Sequence, residues 1–297
     1  MSIRLAARTH RRARHIFTRP RARGSRFGVL VIWAGVLGLT ALFVLRPWSG
    51  GRTADAPEQT GLAPAIEHAL RLGASIPSRY HGAHVSSPPA GFSEPLVALT
   101  FDDGPHPDVT VPILTILSDR SIRATFFVLG LQAEKYPEIA ARVAAEGHVL
   151  ANHSYSHRVN TAGEQTAKEL DRTETLIYQA AGDSPLLFRP PEGRTDTALT
   201  SYAIDQGFTI VRWCVDSEDW KHPSAETIVA NCMRDMRPGA IVVLHDGGGG
   251  YPDTPGALPL LLDRLASEGY TFVTVPEMLQ AWDRFLSQQS TESTDIS

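Results

Sequence analysis

Seven short apolar runs, each followed by a stretch with helical spacing, constrain this chain more than any other feature of its sequence. The runs span 96–101, 124–129, 148–151, 186–188, 208–215, 240–244 and 270–275. Helical spacing occupies 110–119, 133–146, 164–181, 197–206, 225–236 and 258–267, with a last helix expected over 277–286. Strands that alternate with helices pair in parallel, because a parallel pair needs a crossover between its members. Runs that are apolar almost throughout belong to a sheet covered on both faces. The fold class is therefore α/β, and a barrel and an open doubly wound sheet both satisfy the count.

The ends of the chain read differently. Residues 1–46 hold ten arginines and no acidic residue, and residues 27–45 are nineteen in a row without a charge. That run is long enough to cross a hydrocarbon core of about 30 Å as a helix. The arginines before it place the N-terminus in the cytoplasm by the positive-inside rule. A cleaved signal peptide is the alternative, but the run exceeds a usual apolar signal core, and the one Ala-x-Ala site, Ala54 to Ala56, lies far downstream before Pro57. The expected organisation is a basic cytoplasmic segment (1–26), a transmembrane helix (27–45), a Pro/Gly-rich extracytoplasmic linker (46–93), a main α/β domain (94–286) and a disordered polar tail (287–297). The expected location is a single-pass cell-membrane protein with its main domain outside the cytoplasm.

The formal charge of −4 hides an asymmetry, since the 251 residues after the basic head carry 18 basic and 32 acidic side chains, a balance of −14. Such a domain has no basic surface to neutralise phosphates, which excludes a nucleic-acid partner. Cys214 and Cys232 both fall in the exported part, where a disulfide and two buried thiols are both open.

In a parallel β/α fold the site lies at the carboxyl ends of the strands. Asp102-Asp103-Gly104-Pro105 follows the first run, and His153-Ser154-Tyr155-Ser156-His157 the third. Arg189-Pro190-Pro191-Glu192 follows the fourth, Asp216 to Trp220 the fifth, and His245-Asp246 the sixth. Carboxylates, imidazoles and one arginine thus meet at one rim. His153 and His157 are four apart, a spacing that on a helical turn brings both to one ion. Two surface histidines would give the same motif, but an Asp-Asp pair at another strand end of the same rim favours a metal site. Two imidazoles and one carboxylate leave positions open for water and substrate. At the glycine-rich loop, His245 suits a general acid, and a neighbouring aspartate would raise its pKa. Arg189 near Asp102 would keep that carboxylate ionised. His148 reads as a core residue, and His81, His84, His106 and His222 as solvated.

These five motifs, in this order over about residues 94–285, resemble the polysaccharide deacetylases with the NodB homology domain, also called carbohydrate esterase family 4. The resemblance implies a deformed (β/α)7 barrel. It also implies that Asp103, His153 and His157 hold a divalent metal, Zn2+ first with Co2+ or a similar ion as an alternative. Asp102 would be the general base, positioned by Arg189, and His245 the general acid, tuned by Asp219. Trp220 and Val243 would line a pocket for the acetyl methyl group, with Pro191 and Glu192 in the same substrate-binding set. Glu192 departs from the family, where this position is often aromatic or glycine; its backbone N–H would still face the oxyanion. The expected reaction is hydrolysis of N-acetyl groups on a cell-surface polysaccharide. N-acetylated peptidoglycan is the first candidate for a membrane-tethered domain. Chitooligosaccharides, an O-acetyl ester of the xylan type, and a non-catalytic glycan-binding module are the alternatives.

Overall fold

The computed structural model describes residues 76–184, 186–248 and 253–294. The expected transmembrane helix at 27–45 lies outside them, and among the described residues no helix is long and apolar enough to cross a membrane. Nine parallel strands form one sheet: β1 (His84–Val85), β2 (Leu96–Asp102), β3 (Thr125–Val128), β4 (Val149–Asn152), β5 (Leu187–Phe188), β6 (Thr209–Val211), β7 (Val215–Asp216), β8 (Ala240–His245) and β9 (Thr271–Val273). Among the described residues eight α-helices accompany them: α1 (Thr110–Asp119), α2 (Gly130–Lys135), α3 (Pro137–Ala145), α4 (Glu164–Ala181), α5 (Ala198–Asp205), α6 (Ala225–Arg234), α7 (Asp253–Ser267) and α8 (Val275–Thr294).

The sheet order is β1-β6-β5-β4-β3-β2-β8-β7, and β9 also pairs with β2. Along β2, β8 takes one edge from Val97 to Asp102, while β9 and β3 divide the other edge, at 96–98 and 100–102. From β6 to β7 the path makes six strand-to-strand steps, about 29 Å in a flat sheet at ~4.8 Å a step. Yet Val211 and Val215 are four residues apart, a reach of about 14 Å. The sheet must therefore curl until its ends face each other, giving a parallel half-barrel. This corrects the expectation of one strand over 208–215. The chain leaves β6 after Val211 and crosses the opening, where the Arg212 N–H donates to the Val85 carbonyl (2.8 Å) and the Cys214 N–H to that of Ile241 (3.1 Å).

Side chains alternate across this sheet. Val97, Leu99 and Phe101 join Phe126, Val128, Leu150, Val242 and Leu244 in an outer core beneath α1, α3, α6 and α7. Ala98, Phe127, Val149, Ala151 and Ile241 face inward, packed against Met278, Leu279 and Trp282 of α8. On β2 the same inward parity brings Thr100 and Asp102 inside, and on β8 it brings Val243 and His245. Period-two geometry thus aims the functional side chains into the curl.

Other boundaries shift for local reasons. Pro137 divides the helix expected over 133–146 into α2 and α3. Residues 78–92, expected as linker, fold onto the sheet: β1 pairs with β6, Tyr80 and Phe92 are buried, and Phe92 meets Phe285 edge-on at 5.5 Å. The tail expected to be disordered from 287 is helical through Thr294, because no glycine or proline interrupts α8 after Pro276. Both cysteines are free thiols, and burial pushes Cys232 up to about 12.

Candidate metal and acid–base site

β2 ends on Asp102, which is buried against the equally buried Arg189. The Arg189 guanidinium donates to Asp102 Oδ1 at 2.6 Å and to Thr100 Oγ1 at 2.7 Å. Its planar face lies over Phe127, 4.0 Å from the ring centroid. Removing either partner would leave the other as a buried charge without a counter-ion. Asp103 then takes a left-handed conformation (φ 75°), which turns its carboxylate out of the strand direction. The next residue must be glycine: a Cβ on Gly104 would lie 2.1 Å from Asp246 Oδ2. Asp246 accepts from the Gly104 N–H (3.1 Å) and from Thr110 Oγ1 (2.6 Å), so it fastens this turn. Burial, reinforced by the charges of Asp103 and Asp102, pushes Asp246 up to about 7. The sequence singled out His245-Asp246 without giving the aspartate a job; a carboxylate next to an inward-facing residue was the available signal.

His153 and His157 do not share a helical turn. Residues 153–157 form a loop in which Ser154 (φ 69°) and His157 (φ 60°) are left-handed. The two rings nonetheless converge, and the reason is the loop rather than the helix the spacing suggested. His153 Nε2 lies 3.5 Å and His157 Nε2 3.6 Å from the same atom, Asp103 Oδ1. Burial pushes His153 down, so its ring is neutral. Its Nδ1 sits 2.7 Å from the Arg189 carbonyl, which can only accept, so Nδ1 carries the hydrogen and Nε2 keeps its lone pair for the cavity.

These three residues fit a divalent cation. Asp103 Oδ1 is buried and has no hydrogen-bond partner among the described residues. One ligand atom from each residue lies within 4.8 Å of the other two. Ligands about 2.1 Å from a tetrahedral ion stand ~3.4 Å apart, close to the two separations above. Two nitrogens and one oxygen suit a borderline ion such as zinc.

The opposite wall carries His245, the register partner of Asp102 across β2 and β8. His245 Nδ1 lies 2.7 Å from Asp219 Oδ1, and the His245 N–H donates to Oδ2 at 2.8 Å. Thr254 Oγ1 also donates to Asp219 Oδ2 at 2.8 Å. Burial would raise the Asp219 carboxyl, but these bonds outweigh it and hold the group below its ordinary value. Burial would likewise lower His245, yet the Asp219 bond and charge, with Asp102 and Asp103 nearby, push it up to about 9. The result is an imidazolium at neutral pH.

Both walls line a cavity of about 450 Å³, with Glu192, Trp220 and Val243 among the lining residues. Trp220 stands half exposed at the mouth, and Glu192 is exposed on a left-handed turn (φ 56°). Pro191 is buried and does not line the cavity, unlike its expected place in the substrate-binding set. Trp213 and Asp216 do line it, joined by a bond from Trp213 Nε1 to Asp216 Oδ2 (3.2 Å). Reading 208–215 as one strand hid Trp213, which lies in the crossing between β6 and β7. A groove of the same size beside Tyr178 and Leu186 brings together no metal-ligating set among the described residues. Of the remaining histidines, His148 is buried and accepts from the Ala124 N–H (3.1 Å), while His81, His84 and His222 are exposed.

Residues 90–211 match the family model described as polysaccharide deacetylase. A peptidoglycan-N-acetylglucosamine deacetylase of Bacillus cereus is 41% identical over 189 residues, covering 62% of this chain and 68% of the relative. A chitooligosaccharide deacetylase of Rhizobium leguminosarum bv. trifolii is 34% identical over 211 residues, covering 66% of this chain and 98% of the relative. The crystal structure of a peptidoglycan N-acetylglucosamine deacetylase in complex with an N-hydroxybenzamide superposes with a TM-score of 0.63 at 39% identity, covering 67% of this chain and 93% of that one.

Proposed function

We propose that this chain, which belongs to the polysaccharide deacetylase family, hydrolyses the N-acetyl group of peptidoglycan N-acetylglucosamine and releases acetate. The observation that carries the reading is Asp103 Oδ1, a buried and unpartnered oxygen between two histidine nitrogens at 3.5 and 3.6 Å. Asp103, His153 and His157 would hold the ion, Zn2+ before Co2+. When bound, it supplies Lewis-acid polarisation of the amide carbonyl and acidifies water. Asp102, with Oδ1 engaged by Arg189, takes the proton of the attacking water on Oδ2. The Glu192 backbone N–H faces the developing oxyanion, a role supported by the resemblance. Trp220 and Val243 flank the methyl group. His245, its Nδ1–H directed at Asp219, passes the Nε2 proton to the leaving sugar amine as the carbon–nitrogen bond breaks. The fold reads as the deformed (β/α)7 barrel of this family. Residues 27–45 would anchor it in the membrane with the catalytic domain outside, a reading supported by their uncharged run and the arginines before it.

The test is acetate release by the purified full-length chain from intact peptidoglycan, N-acetylglucosamine oligomers and acetylated xylan, before and after chelation and after zinc return. Metal-dependent release from peptidoglycan is the expected result. Release from the oligomers alone would move the substrate to chitooligosaccharides, release from xylan alone would make the chain an esterase, and release from none would leave a glycan-binding module.

A further inference from the structure

The loop that brings the two histidines together has an unusual set of partners. From Ser154 to His157, all four backbone N–H groups donate to side chains. Ser154 N–H donates to Asn152 Oδ1 (3.0 Å), and His157 N–H to Ser154 Oγ (3.1 Å). The two between them, Tyr155 and Ser156, both donate to Glu169 Oε2, at 3.0 and 2.7 Å. Ser156 Oγ donates to Glu169 Oε1 at 2.6 Å, so both oxygens of this buried carboxylate are committed to the loop. On the other side, loop carbonyls are held by the start of α2: the Gly130 N–H donates to Ser154 O (3.0 Å) and the Leu131 N–H to Tyr155 O (2.9 Å).

A chain with two left-handed non-glycine residues within four positions is strained, by about 1–3 kcal/mol for each such residue. Its own backbone bonds do not stabilise it, so the surrounding side chains must. Whereas Glu134 reaches only the Tyr155 hydroxyl (2.6 Å), Glu169 grips the loop backbone, through two successive N–H groups in the manner of a backbone anion nest. Its grip lies on the two residues immediately before His157, the ligand with the looser surroundings.

We propose that Glu169, on α4, is a positioning residue for the metal site: its carboxylate holds the 153–157 loop in the conformation that puts the His153 and His157 rings around Asp103. This rests on the reading of Asp103, His153 and His157 as metal ligands. Glu169 lies twelve residues beyond His157 and is not one of the three ligating residues. Its effect reaches the site only through the loop backbone. Asn152 and Ser154 support the same loop, but each supplies a single acceptor where Glu169 takes three donors.

The test measures metal affinity rather than turnover. Zn2+ Kd is obtained by competition with a chromophoric chelator, and Co2+ loading is followed by its visible absorption, on full-length wild type, Glu169→Ala and Glu169→Gln. Altered outer-shell partners cost roughly 10–100-fold in affinity. Glu169→Ala, which strands three donors, should raise Kd at least ~10-fold and change the Co2+ spectrum. Glu169→Gln keeps an acceptor and nearly the same shape, so it should recover most of the affinity. If Glu169→Ala does not fold, Glu169→Gln carries the test on its own with an expected several-fold rise in Kd. A folded Glu169→Ala that binds zinc within twofold of wild type with an unchanged Co2+ spectrum, or, where that variant does not fold, a Glu169→Gln that does so, overturns the role of Glu169 alone. A wild type that binds neither ion overturns the metal reading and this inference with it.

Discussion

His153 and His245 face one cavity from opposite walls, and their surroundings drive them to opposite protonation states. His153 directs Nδ1 at a carbonyl, the Arg189 oxygen at 2.7 Å, and its nearest carboxylates stand 3.5 and 3.8 Å away. Burial wins there, and the ring is neutral. His245 directs Nδ1 at a carboxylate, Asp219 at 2.7 Å, and the pairing overrides burial to hold a proton up to about 9. The comparison shows that burial alone does not set a histidine's charge; the partner of its outer nitrogen decides. A neutral ring offers a lone pair, whereas a charged one offers a proton, and a metal-assisted hydrolase needs one of each.

The largest expected effect breaks the metal wall. His153→Ala, or chelation of the wild type, should lower acetate release by about 10⁴-fold or more, since without the ion the amide is neither polarised nor attacked. Zinc return should restore the chelated wild type but not the variant. Asp102→Asn tests the base beside that wall, with an expected fall in kcat of roughly 10²–10⁴-fold and a zinc Kd within a few-fold of wild type. Near-wild-type turnover would remove Asp102 from the role of base.

Asp219→Asn sharpens the comparison by giving His245 a neutral partner like that of His153. The acid form should then be lost from a lower pH, with the alkaline limb of the kcat profile moving from near 9 toward the ordinary 6.5. At pH 8 this amounts to a drop of about 10-fold or more. Stability should follow with a definite sign. The folded pKa of His245 is raised, so its contribution is fully present below 6.5 and is lost as pH rises through about 9. Wild type should exceed Asp219→Asn most in denaturant melts near pH 6, by roughly 1–3 kcal/mol, with the gap closing toward pH 9. A gap that does not change with pH would show that the pair adds packing and not charge. The smallest effect belongs to the cavity mouth: Trp220→Ala removes a half-exposed wall and should lower kcat/KM about 5–10-fold while leaving zinc Kd unchanged.

Much of this was legible before the fold was known. The apolar runs at 96–101 and 240–244 are β2 and β8 to within a residue, and the groups that follow them do meet at one rim. Other parts were legible for the wrong reason. The four-residue spacing of His153 and His157 suggested a helical turn, whereas a loop with two left-handed residues joins them. The run over 208–215 was uniform enough to read as one strand, yet it must leave one end of a curled sheet and enter the other. The linker hid Tyr80, Val85 and Phe92 among its prolines and glycines, and these few apolar residues are what fold it onto β6 and α8.

What the sequence determined by itself is the longer elements and the parity of their side chains. Both come from local rules: a strand alternates its faces every two residues, so Asp102, Val243 and His245 were bound to share the inward side once β2 and β8 paired. What only the tertiary structure decided is how the groups are tuned. Arg189 reaches Asp102 from 87 positions away, Asp246 fastens Gly104 from 142, and Asp219 charges His245 from 26. These bonds carry no periodic signature, because a buried charge takes whichever partner the completed core leaves within reach.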